Sequence, residues 1–213
     1  MKKLLSYILS ENPIFCLGIA LILSLAMTTK FEIAYITGIL VFIILFVSNL
    51  VFSLLKKLLK ENMKLPIYLI IISIFVTILN YLFSIHAKYL LEMFDVYFVL
   101  IIITCAILGY GIKINEKNNC GKDILNTLGI GIGFVLSLSF IGLLREIIGS
   151  NSITVMDNLT NLTGYKAIYY NIIPNADLFP ASFFLTPSGA FLVLGLLIAL
   201  FNAIKGGKKR ESN

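Results

Sequence analysis

Apolar residues run along this chain in long blocks rather than in the alternation of a half-buried strand, and each block ends where Lys, Asn, Pro or Glu gather. A membrane-crossing helix needs about 20 mostly apolar residues, because about 30 Å of hydrocarbon at 1.5 Å of rise per residue requires it. Six segments read as such helices, over about 13–27, 33–55, 66–84, 96–112, 125–148 and 189–204. Pro13 and Pro66 stand at the openings of the first and third, in the first turn where a missing N–H costs least. The connection between the fifth and sixth, about 149–188, is the one long joint and holds Asn, Thr, Pro and aromatic residues. It exceeds an ordinary loop, so part of it is expected to lie in the interface or fold back against the helices. The expected fold class is therefore an all-α integral membrane protein of about six transmembrane helices, a single multi-pass domain over 1–213. Broken helices and a weak inverted repeat are both compatible with this pattern.

Composition narrows the choice further. Apolar residues make up 59% of the chain and charged ones 13%, with a mean hydropathy of +0.97, which is too apolar for a water-soluble domain of 213 residues. The helices and their joints use up the length, so no separate soluble enzyme domain fits. Met1-Lys2-Lys3 before the apolar residues reads as the flank of a retained first helix, since no small-residue cleavage site follows.

Charge sets the expected orientation, because basic flanks resist translocation. With the N-terminus inside, Lys2, Lys3, Lys56, Lys57, Lys60, Lys64, Lys113, Lys117, Lys122, Lys205, Lys208, Lys209 and Arg210 all fall in the cytoplasm. Only Lys30, Lys88, Arg145 and Lys166 fall outside, so both termini are expected to be cytoplasmic. The net charge of +6 is this bias and calls for no nucleic-acid partner.

Candidate chemistry is sparse. His86 is the sole histidine, which excludes histidine clusters for metal binding or acid–base work. Gly129, Gly131 and Gly133 alternate inside an apolar helix instead of following a strand, so they are read as packing positions rather than a phosphate loop. The spans hold almost no charge; the exception is Arg145-Glu146 near the outer end of the fifth. These neighbours sit about 100° apart around the axis, placed to join other helices or to snorkel. The three cysteines, Cys16, Cys105 and Cys120, form no disulfide framework. Cys105 precedes Gly109 and Gly111, which would permit an unwound helix near mid-membrane and expose the thiol to a partner. A thiolate there suits an iron–sulfur centre; a packing cysteine is the plainer reading. The Asn-Leu-Thr sequences at Asn158 and Asn161 are taken as accidental.

Four segments together carry a family likeness: Pro66-Ile67-Tyr68 opening a helix, the Cys105 segment ending at Gly109, Leu144-Arg145-Glu146-Ile147-Ile148-Gly149, and Pro187-Ser188-Gly189-Ala190-Phe191. In this order and spacing the chain resembles the E subunit of the Rnf electron-transport complex and its counterpart, the D subunit of the sodium-pumping NADH:quinone oxidoreductase Nqr. The resemblance implies six helices beside a homologous A-type subunit, the two sharing one [2Fe-2S] cluster on two cysteines each, with electron flow coupled to ion movement. Cys105 matches the family's second cysteine, whereas Ile22-Leu23 stands where the first is expected. Cys16 lies six residues earlier, on another face, and Cys120 falls in a cytoplasmic joint. Tyr110 to Asn115 also replaces the usual Arg- and Glu-containing stretch. A cluster held in another way and a relative that has lost it both remain open.

The expected function is thus a membrane subunit of an Rnf/Nqr-like ion-translocating electron-transport complex, catalysing nothing alone, with Cys105 as its cofactor-binding and metal-ligating candidate. The alternatives are a small-solute or ion transporter subunit without a redox role, and a purely structural assembly subunit.

Overall fold

The computed structural model describes residues 26–56, 58–88, 94, 97–111, 120–156, 168–171 and 182–210. The expected first span up to residue 25, with Cys16 and Ile22, lies outside the described residues, as does the side chain of Cys120. Five helices carry the described architecture: α1 (Phe31–Leu55), α2 (Lys64–His86), α3 (Phe98–Gly111), α4 (Cys120–Ser150) and α5 (Pro187–Arg210). They coincide with the second to sixth apolar blocks of the sequence. By length and composition, three are fit to cross a membrane among the described residues, within α1, α2 and α4, and α3 and α5 contribute shorter apolar stretches. This is an integral membrane protein.

An antiparallel pair, α1 and α4, forms the centre. Its register can be followed from one end to the other. At one end the Phe31 N–H donates to Glu146 Oε2 at 2.6 Å. Next, a Cβ on Gly142 would overlap the Cβ of Ala34, one on Gly38 would stand 3.1 Å from Val135 Cα, and Phe42 lies over Gly131. Asn49 Nδ2 then donates to Thr127 Oγ1 at 2.9 Å. Lys56 closes the other end in an ion pair with Asp123, which also accepts from Ser53 Oγ. Small residues let the two backbones approach, and a buried amide–hydroxyl bond fixes their register, which is how helices associate where lipid removes the hydrophobic drive. Gly129 and Gly133 are buried on the same helix, in keeping with the packing role expected of them.

The outer faces are apolar in the way lipid demands. Along α2, Leu69, Ile70, Ile74, Ile78, Leu82 and Ile85 are exposed while Tyr68, Ile71, Ile72 and Val76 are buried. Ser73 and Thr77 on α2 close their hydroxyls on the carbonyls four residues back, at 2.9 and 2.8 Å.

The long connection does fold back, through structure that the apolar pattern did not foresee. Asn151 takes a left-handed conformation, φ 52°, just beyond the last turn of α4, and its N–H still reaches the Ile147 carbonyl. Asparagine is among the few residues that accept this conformation at a helix end. The chain then enters β1 (Ser152–Met156), which pairs antiparallel with β2 (Ile168–Asn171), a bulge falling between Thr154 and Met156. A single 3-10 turn, Ser182–Leu185, leads into α5. Strands of five and four residues carry too little periodicity to stand out among Asn and Thr.

Candidate functional site

The four segments that carry the family likeness meet in two pairs. In the first, α3 lies against α1 and α2. Its outward side exposes Val99, Ile103 and Ile107, and its inward side buries Ile101, Thr104, Cys105 and Leu108. Cys105 is fully buried, its thiol 3.8 Å from the Val41 carbonyl near the middle of α1. One turn further along, Gly109 passes directly beneath the phenol of Tyr68, and a Cβ there would collide with the ring and its hydroxyl. Tyr68 stands two residues after Pro66 at the start of α2, is 1% exposed, and packs edge-on against Phe52 with ring centroids 5.1 Å apart. So the Pro66-Ile67-Tyr68 segment and the Cys105–Gly109 segment are two sides of one contact.

This geometry departs from the expected exposure of the thiol. The glycines after Cys105 do not unwind the helix, which is continuous from Phe98 to Gly111. Gly109 instead makes room for an aromatic side chain, and Cys105 faces its own chain's core. A [2Fe-2S] cluster takes four ligands, usually thiolates. Cys105 is the free cysteine among the described residues, and no group of three or more His, Cys, Asp or Glu side chains converges there. A core-facing single thiol does not fit a ligand of such a cluster without turning out of its pocket.

The second pair joins Leu144–Gly149 to Pro187–Gly189. Arg145 and Glu146, one on each side of α4's last turns, are both fully buried, so neither snorkels. Arg145 donates through Nε to the Phe184 carbonyl at 3.0 Å and through Nη2 to those of Leu185 and Thr186 at 3.0 and 3.1 Å, while Nη1 reaches Thr28 Oγ1 at 2.5 Å. A planar guanidinium with five N–H donors can hold several carbonyls of one turn at once, which an ammonium cannot. Glu146 works in the opposite direction: its Oε1 accepts from both the N–H and Oγ1 of Thr154, each at 2.7 Å, and its Oε2 accepts from Phe31 N. One residue therefore anchors the turn before α5, and its neighbour anchors β1 and the start of α1. Gly149 lies under Leu185, and Gly189 lies so close to the backbone of Phe183 and Phe184 that a Cβ would strike it. Glu32, just ahead of the sequence-based start of its span, is also fully buried at this end. Its position at a helix start hid it, since a carboxylate there reads as a solvated first turn.

The family model described as "Rnf-Nqr subunit, membrane protein" matches residues 1–198. The chain belongs to the Rnf-Nqr family of membrane subunits. Among its relatives, the E subunit of the Na+-translocating ferredoxin:NAD+ oxidoreductase complex of Acetobacterium woodii is 31% identical over 202 residues, 95% of each chain. The E subunit of the proton-translocating ferredoxin:NAD+ oxidoreductase complex of Clostridium ljungdahlii is 29% identical over 193 residues, 91% of this chain and 84% of that one. A Haemophilus influenzae protein, the E subunit of an ion-translocating oxidoreductase complex, is 34% identical over 151 residues, 70% of this chain and 62% of its own length. Relatives at similar identity carry names with different ions, so likeness to the Rnf-Nqr family does not by itself assign one. Both contact pairs described above are built from the segments by which the chain resembles the family.

Proposed function

We propose that this chain is the E-type membrane subunit of a bacterial ion-translocating electron-transport complex of the Rnf kind, that it helps pass electrons across the cytoplasmic membrane, and that it is not catalytic alone. The observation that carries the reading is its membership of the Rnf-Nqr family together with near full-length similarity to a relative named as the E subunit of such a complex. Its partners are then the other subunits of such a complex, among them a homologous A-type membrane subunit. The orientation follows the lysines, with both termini cytoplasmic.

Cys105 is the residue we assign to the electron path of the assembled complex, one helix layer from the face on which a carrier would lie. Support comes from its depth beside Val41 near the middle of α1, and from α3 being a single helix layer between the thiol and the exposed Val99, Ile103 and Ile107. No step is routed through a [2Fe-2S] centre, since the described side chains do not supply its ligands. A solute transporter without redox partners has no observation of its own in its favour.

The test is the Cys105→Ser variant in the intact complex. Normal subunit composition with loss of at least tenfold in electron transfer is the expected result. Unchanged transfer at normal composition would leave the chain an assembly subunit and remove Cys105 from the pathway.

A further inference from the structure

Two hydroxyls stand apart from the other polar groups of this chain. Ser48 Oγ and Tyr68 Oη are buried, at 0% and 1% residue exposure, and neither has a hydrogen-bond partner among the described residues. The condition of Ser48 is not the default for a helical hydroxyl. Thr37, Ser73, Thr77, Thr127, Ser137 and Ser150 all donate to the carbonyl four residues back, at 2.7–2.9 Å. Ser48 lies on α1 with the same kind of carbonyl behind it and does not use it.

Helical phase and the contacts of neighbouring residues direct both hydroxyls to one interface. On α1, Val41, Ser48 and Phe52 recur at spacings of seven and four and so share a stripe. Val41 meets Cys105 and Phe52 meets the Tyr68 ring, which places Ser48 between the two contacts. Tyr68 Oη lies over Gly109, one turn from Cys105 along the same side of α3. Native proteins meet such paired buried groups with an ordered water when two or more polar partners converge.

We infer that the interface of α1, α2 and α3 holds an internal water molecule that bridges Ser48 Oγ and Tyr68 Oη one turn from Cys105. The site places a polar group one turn from the thiol inside an otherwise apolar layer. It does not depend on the electron-transfer reading and would stand if Cys105 proved silent in redox work.

A double-mutant cycle on the purified intact complex tests it, with Ser48→Ala, Tyr68→Phe and the double variant compared by thermal unfolding midpoint. A shared water predicts that each single variant lowers the midpoint by roughly 2–4 °C. The double variant then falls by no more than the larger single loss, because the same water is lost once. Midpoints that rise, stay level or fall additively overturn the inference. A cryo-EM map that resolves other ordered waters supplies the second reading: density at about 2.7–3.2 Å from both oxygens is expected, and empty space there overturns it.

Discussion

At the scale of single residues, the most consequential side chain is Arg145. Its guanidinium is the donor for three successive carbonyls ahead of α5, so Arg145→Met takes that donor from the half-buried Phe184 and Leu185 carbonyls, while the Thr186 carbonyl keeps the Ala190 N–H. The expected loss is about 3 kcal/mol or more, seen as a lowered unfolding midpoint or failure to assemble in membranes. Arg145→Lys does not restore it, because one ammonium cannot span the turn. Thr154→Val keeps shape but removes the hydroxyl bonded to Glu146, with an expected cost of about 1–2 kcal/mol by the same measurement. Gly109→Ala forces the Tyr68 phenol from its place, and Tyr68→Leu in the same chain is expected to recover part of the lost stability. A cycle in which the two effects simply add would contradict the contact.

Between elements, the seam of α1 and α4 organises the rest. Helices in lipid gain little from burying apolar surface, so close backbone approach and a few polar bonds determine their pairing. Asn49→Leu is expected to cost about 0.6–2 kcal/mol in the purified complex, the range for one interhelical bond in a membrane protein. No change would mean that Thr127 finds another partner. The seam also shows where sequence reading reaches its end. Helices α1, α2 and α4 were legible because composition and length alone mark a membrane-crossing helix, and α3 and α5 as shorter apolar runs. The hairpin was not, since β1 depends on Glu146 reaching Thr154, a contact no local pattern announces. Arg145-Glu146 stood out as charge in an apolar helix, yet the choice between snorkelling and burial rested on the turn at 184–186, distant in sequence. Cys105 was found as a candidate from its place before Gly109 and Gly111 and then from the family likeness; that it faces Val41 could not be read without α1 in place. Ser48 gave no signal at all, because a serine in an apolar helix ordinarily closes on its own backbone.

For the whole molecule, the two ends of the helical pair differ in kind. One end carries the Lys56–Asp123 ion pair. The other carries Thr28, Glu32, Arg145, Glu146 and Thr154, all buried. A buried, satisfied polar cap of this sort suits a face that meets other subunits or water without moving charge through the helices. The orientation is checked by reporter fusions to each terminus: both are expected to report from the cytoplasm, and a split result would invert half of the assignment. The central claim, a membrane subunit through which a redox complex moves electrons, is tested most directly in membrane vesicles from the native host lacking this one chain. Electron transfer by the complex is predicted to disappear there and to return when the intact chain is supplied; undiminished transfer in its absence would contradict the account.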